Sequence, residues 1–306
     1  MAYPCVMRKA TSFLLMTALA ATIAAPAPSF AQTTSASSGG FSLLDSIGDY
    51  FSNWFVRSDR AKATQPHWMT PLVTGTPRLE QELRYDQSFQ SAQYGQETTN
   101  FGSGKGLELI PWETVELILG IPNYVAHEYP GKKGKKNRGT DGFADWTSTI
   151  KYRLLSANEE NGNYILTLSM VFSAPTGQSP NSQGHAIFTP TISFGKGWGD
   201  FDFQSTVSCA FPNGGLDRLG MPVAYNTAFQ YHLFKFFWPE FEVNYTWWPD
   251  GNNAGKNQVF LTPGLILGRF PLYDRFKLVA GAGFQVAVTK FNQYHNSWVI
   301  TGRIPF

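Results

Sequence analysis

The chain has 306 residues, with 24 lysines and arginines against 22 aspartates and glutamates, a formal charge of +2 at neutral pH. That balance lacks the basic excess a nucleic-acid partner demands. Aromatic and charged residues each make up 15%, so much aromatic surface must be placed somewhere other than a compact water-soluble core.

In chain order, Arg8 and Lys9 precede an apolar stretch from Phe13 to Ala25, and small residues follow in PSFAQ. This is the pattern of a secretory signal peptide over residues 1–31, with cleavage expected after Ala31. No cysteine follows the cut, which argues against a lipoprotein. Removing the signal brings the formal charge to about zero and leaves Cys209 alone, so neither a disulfide framework nor a cysteine-built metal site is expected. Beyond it no run of about 18 apolar residues occurs, and no transmembrane helix is expected.

Residues 32–77 read as a linker: small and polar from Gln32 to Gly40, then helical, then irregular with three prolines from Asp59 to Pro77. The helical part, 41–56, is amphipathic, because Phe41, Leu44, Ile47, Phe51, Trp54 and Phe55 recur at helical spacing. Packing on the protein, lying on the inner leaflet and plugging a barrel are all open to it.

From Arg78 to Phe306 the pattern turns to period two. Around Trp238–Trp248, Phe241, Val243, Tyr245 and Trp247 share one face while Glu240, Glu242, Asn244 and Thr246 share the other. The segment from Phe276 sets Leu278, Ala280, Ala282, Phe284 and Val286 against Lys277, Gly281, Gly283 and Gln285. Strands are expected to start near Leu79, Gly106, Thr114, Asp145, Asn163, Ala186, Gly199, Val223, Phe237, Gln258, Phe276 and Ser297. Long connections such as SAQYGQETTNFGSGK, PTGQSPNSQGH and PDGNNAGKN alternate with short ones such as PWE, GKGW and RFPLYD. An all-β, antiparallel up-and-down transmembrane barrel of about 12 strands, preceded by a short amphipathic helix, meets all of these conditions.

Two aromatic girdles support that fold. Tyr152, Tyr164, Phe194, Phe201, Tyr231, Phe237, Phe276 and Phe306 fall near the expected inner ends, and Trp146, Phe172, Phe188, Phe211, Tyr225, Trp247 and Trp298 near the outer ends. The final segment SWVITGRIPF alternates apolar residues up to Phe306, which looks like the assembly signal read by the bacterial barrel-assembly machinery.

Signatures of common chemistry are absent: no phosphate-binding glycine loop, nucleophile elbow or zinc helix is found. His295 and Ser297 share a strand face but lack an acidic residue to orient the histidine, so no catalytic site is assigned. His67, His127, His185, His232 and His295 lie far apart, so no metal is expected, and no cofactor is implied. Lys132, Lys133, Lys135, Lys136 and Arg138 form a basic run expected in an outer loop, solvated or facing lipopolysaccharide phosphates.

The lumen-lining candidates are the charges on the polar parity: Glu80, Glu82, Arg84, Asp86, Glu108, Glu116, Lys151, Arg153, Asp200, Asp202, Glu240, Glu242 and Arg303. A basic residue facing mid-membrane lipid costs roughly 2–4 kcal/mol, which drives such groups inward. There they either pair as internal glue or line a polar conduit.

The stretches GKGLELIPWETVELILGIPNY, DGFADWTSTIKYRLL and LTLSMVFSAPTGQ resemble the outer-membrane family named for the MetA pathway of phenol degradation. The resemblance runs from about Thr76 to Phe306, with Asp141-Gly142-Phe143-Ala144-Asp145 and Ala174-Pro175-Thr176-Gly177 its most specific parts. The family more often has Gly where Ala144 stands, and it does not include the helix from Phe41. The resemblance implies a barrel of about a dozen strands that admits small, often aromatic, organic solutes. Passive uptake or efflux across a bacterial outer membrane is therefore the expected function, with outer-membrane lipid and lipopolysaccharide as surroundings. A closed structural or lipid-binding barrel is the alternative, and a lipid hydrolase using His295 and Ser297 the remote one.

Overall fold

The computed structural model describes residues 43–102, 105–131 and 136–306. The expected signal peptide and the linker to Gly40 lie outside these residues, as do Lys132, Lys133 and Lys135.

Twelve antiparallel strands close into a barrel: β1 (Glu82–Ser91), β2 (Glu97–Gly102, resuming as Gly106–Trp112), β3 (Val115–Gly120, resuming as Tyr124–Pro130), β4 (Trp146–Ala157), β5 (Tyr164–Ala174), β6 (Ile187–Trp198), β7 (Phe201–Cys209), β8 (Val223–Tyr231), β9 (Phe237–Trp247), β10 (Asn257–Tyr273), β11 (Phe276–Ala287) and β12 (Asn296–Pro305). Each pairs with its chain neighbours, and β1 pairs with β12 from Glu82 opposite Pro305 to Ser91 opposite Asn296. Closure leaves no edge of unpaired N–H and C=O groups, the condition for a sheet to sit in hydrocarbon.

Alternation decides what faces where. On β1, Glu82, Arg84 and Asp86 are buried while Leu83, Tyr85 and Phe89 are exposed; on β9, Glu240 and Glu242 are buried while Phe241 and Trp247 are exposed. No residue of the two expected girdles is buried. Even the polar exceptions on the outer parity are neutralised: Ser205 and Thr227 share a hydrogen bond of 2.7 Å across β7 and β8.

Three expectations need correction. The segment ETTNFG, assigned to a loop, forms the first part of β2 and pairs with β1 and β3. Glu97 to Asn100 are polar on both parities and Phe101 is its one large apolar residue, so alternation could not mark it. RFPLYD, read as a short connection, belongs to β10 as far as Tyr273, and the ladder from β10 to β11 shifts register between Gly268 and Phe270. The helix does not end at Val56: α1 (Leu43–Ser52) is followed by α2 (Trp54–Ala63). The added turns have little apolar periodicity, but their polar groups find partners at the barrel's base. Arg57 Nε donates to the Pro111 carbonyl at 3.2 Å, Asp59 pairs with Arg275 at 2.7 Å, and Lys62 Nζ donates to the Phe306 carbonyl at 2.6 Å. Ala61 packs with Leu79 and Ile110 in a buried cluster.

Candidate functional site

The lumen holds a stretch of the chain itself. Between α2 and β1, Gln65–Gln81 is irregular and mostly buried, with Trp68, Met69 and Leu72 at 6%, 3% and 2% exposure. Met69 and Leu72 join Trp238, Ile266 and Val279 of β9, β10 and β11 in one apolar cluster.

Inward glycines make room for this plug. A Cβ at Gly264, Gly281 or Gly283 would come within 2.5, 3.0 or 2.7 Å of the Leu72 side chain, and one at Gly195 or Gly197 within 2.6 or 2.7 Å of Trp68. Glycine weakens a strand interior, and its usual reward is the close approach of another group. Here two groups of glycines form sockets for two plug side chains.

Charged wall residues hold the plug's main chain, which has no ladder of its own. Glu240 Oε1 accepts from the Leu72 N–H at 3.1 Å; Glu242 accepts from the Val73 and Thr74 N–H groups at 2.8 and 2.5 Å. From the opposite sign, Arg303 donates to the Thr70 carbonyl and, at 2.8 Å, to the Pro71 carbonyl, and Arg84 donates to the Leu72 carbonyl at 3.0 Å while pairing with Asp86 at 2.9 Å. Lys151 bridges the Arg78 carbonyl at 2.8 Å and Glu116 at 2.9 Å, and Arg153 reaches the Ala61 carbonyl at 2.6 Å. Within the plug, Arg78 pairs with Glu80 at 2.9 Å. Buried carbonyls and N–H groups must be satisfied, and these side chains replace the missing sheet partners.

The lumen-lining candidates therefore divide. Glu80, Glu82, Arg84, Asp86, Glu108, Glu116, Lys151, Arg153, Asp202, Glu240, Glu242 and Arg303 are all buried. Glu82 and Glu108 stand opposite one another across β1 and β2, and Asp202 accepts from Gln204 Nε2 at 3.1 Å. Asp200 is the exception: it is exposed in the turn between β6 and β7, where strand parity no longer applies.

Sequence parity also missed Arg269. It sits at the register shift of β10 with φ of 61°, a backbone strain of about 1–3 kcal/mol for a non-glycine residue. The bulge turns its guanidinium onto the His67 and Trp68 carbonyls at 2.6 and 2.7 Å. Bulges re-aim side chains in this way, and the only sequence signal was Gly-Arg-Phe-Pro inside an otherwise apolar strand.

The other half of the lumen differs. Above the plug, toward the longer loops, lies a cavity of about 440 Å³ lined by Ser88, Gln90, Asn100, Lys105, Ile118, Asn123, Thr147, Ser148, Thr149 and Val171. Among the described residues, Lys105 is its one charged lining residue. At the outer end of β12, Ser297 is buried and donates to the Trp298 carbonyl at 3.2 Å, while His295 is exposed; no hydrogen bond joins the two side chains. Among the described residues, no group of three or more His, Cys, Asp or Glu is placed to hold a metal ion.

No family model and no curated protein matches the chain. Among solved structures, it is similar to an outer membrane channel from Pseudomonas putida F1, with 15% identity over 74% of this chain and 94% of that one and a TM-score of 0.46. It is also similar to NanC porin, with 10% identity, 73% and 98% coverage and a TM-score of 0.45, and to KdgM porin, with 9% identity, 73% and 99% coverage and a TM-score of 0.41.

Proposed function

We propose that the chain is a passive outer-membrane channel for small organic molecules. The observation that carries this reading is a closed barrel with an exposed apolar and aromatic outside and a polar interior that opens into a cavity of about 440 Å³. Such a wall is matched to lipid on one side and to hydrated solutes on the other. With no nucleotide-binding motif in the sequence, movement follows the solute's gradient. Gln65–Gln81 fills the inner half, so passage requires that segment to shift. Export by the signal peptide, assembly by the barrel-assembly machinery, contact with lipopolysaccharide and a preference for aromatic solutes belong to the same proposal. The last of these draws on the resemblance to the MetA-pathway family.

The test is stepwise conductance of the purified barrel in a planar lipid bilayer. Expected are discrete current steps from protein that fractionates with outer membranes and migrates differently before and after boiling. Recovery in the soluble periplasm would sink the membrane reading. Silent bilayers from correctly folded protein would favour the second reading, a closed structural barrel, which the dense hydrogen bonding between plug and wall supports.

A further inference from the structure

Among the described residues, each of the other lumenal cations has a partner: Arg84 holds Asp86, Arg78 holds Glu80, Lys151 holds Glu116, and Arg153, Arg269 and Arg303 hold main-chain carbonyls. Lys105 does not. Its main chain is fixed in the wall, with its N–H on the Gly102 carbonyl at 3.2 Å and its own carbonyl accepting from Ile121 at 3.1 Å. Glu108 and Asp86 are the carboxylates whose field reaches it, and neither forms an ion pair with it. The break in β2 that carries Lys105 is possible because Gly102 adopts a φ of 100°, a conformation L side chains rarely take. Broken there, the strand presents an ammonium to the outer cavity.

The rest of the lining completes a pattern. Ser88, Gln90, Asn100 and Asn123 supply neutral hydroxyls and amides, and Ile118 and Val171 an apolar wall. One unpaired cation, several neutral donors and an apolar surface in a space of this size suit an organic anion of single charge. A polyanion would leave charge uncompensated, and a cation would meet Lys105.

We infer that the outer cavity is a binding site for a small organic monocarboxylate, with Lys105 as its counter-cation. This names the solute class for the channel reading and rests on the lumen being the solute's path. The ammonium binds the carboxylate, the amides and hydroxyls orient it, and Ile118 and Val171 cover its apolar body.

Benzoate and its neutral relative benzyl alcohol are the probes, titrated by calorimetry into folded, detergent-solubilised protein. Benzoate is expected to bind more tightly than benzyl alcohol. Lys105→Gln should weaken benzoate about tenfold or more, the scale of one hydrogen bond to a charged group, and leave benzyl alcohol unchanged; Lys105→Arg should restore most of the benzoate affinity. Equal affinity for the two probes in the unaltered protein overturns the proposal, a comparison that stands even if Lys105→Gln fails to fold. Unchanged benzoate binding in a folded Lys105→Gln protein overturns it as well. Conductance measured on the same preparation separates the readings: benzoate binding with silent bilayers keeps the site and removes the channel, and current without benzoate preference does the reverse.

Discussion

The inner and outer halves of this lumen are built from the same strands yet are chemically unlike. In the inner half, Glu240, Glu242, Arg84 and Arg303 are buried against main-chain atoms of Leu72, Val73, Thr74, Thr70 and Pro71. In the outer half, Ser88, Gln90, Asn100 and Thr149 face an open cavity, and among its described lining residues only Lys105 carries charge. Buried charges are costly unless paired and hydrogen-bonded, so their place follows from what they must hold. An irregular segment inside a barrel offers unpaired N–H and C=O groups in quantity, and carboxylates and guanidinium groups satisfy several at once. A solvated cavity has no such need, and neutral side chains suffice. Inward polarity is therefore two properties: a clamp below and a neutral, solvated lining above.

Breaking the clamp should produce the largest effect. Glu240→Leu with Glu242→Leu removes the acceptors of three plug N–H groups, two buried and one part-buried, each buried one worth about 1–3 kcal/mol when left without a partner. Removing two buried charges returns part of that, leaving a net loss of roughly 3 kcal/mol or more. Thermal unfolding followed on heat-modified gels reads the stability, and bilayer conductance reads the plug. Lost stability with larger current makes the plug a removable gate. Lost stability in bilayers that stay silent makes it structural glue.

A steric change should act on the same segment more gently. Gly264→Val would place a Cβ 2.5 Å from Leu72 Cδ1, and overpacking of this kind costs about 1–3 kcal/mol. Leu72 must leave its socket while the carboxylate clamp stays intact. Leu72→Ala in the Gly264→Val background should recover much of the stability; if it recovers none, the three glycines are not a socket for Leu72.

How much of this was legible depends on what each residue's partner is. The β9 and β1 faces could be read because lipid and lumen impose opposite chemistry on alternate residues. Ten further strands followed, with starts within three residues of expectation except at β2. ETTNFG could not be read, since Thr98 and Asn100 on one parity are no more polar than Glu97 and Thr99 on the other. The plug was hidden for a different reason. Its main-chain hydrogen bonds reach residues up to 233 positions away, as between the Thr70 carbonyl and Arg303, and its three prolines gave the same signal as a linker. Polar-face charges such as Glu242 could be picked out, but not their role, because the sequence shows which way they point and not what meets them. Gly281 and Gly283 were visible on the lumenal parity with no hint of Leu72 above them.

The outer half should tolerate what the inner half does not. Gln90→Ala with Thr149→Ala leaves no buried charge or plug group unpaired, so stability should stay within about 0.5 kcal/mol, the usual range for solvated positions. Any change should appear in solute binding or current instead. A stability loss approaching that of the glutamate pair would erase the proposed division of the lumen.

The smallest effect is expected where the chain enters the barrel. His67 meets Glu159, in the turn between β4 and β5: the His67 N–H donates to Oε1 at 2.5 Å, and the His67 ring lies 2.8 Å from Oε2. Burial pushes the Glu159 carboxyl up, but the hydrogen bonds from the His67 main chain and ring outweigh it, and the group ends below the usual carboxylate range. A depressed carboxyl contributes stability that is present above its unfolded pKa, about 4.3, and is lost as pH falls through the lower folded value. Both side chains are more than 40% exposed, so water and salt screen the pair and its contribution is small. Glu159→Gln should therefore lower the unfolding temperature slightly at pH 7, with the difference from the unaltered protein shrinking below pH 4 as that protein's own carboxyl protonates. Because this contact secures only the plug's entry point, the variant should leave the Glu240 and Glu242 clamp closed and the conductance unchanged at either pH. Enlarged current from Glu159→Gln alone would move the hold on the plug from the buried carboxylates to the rim.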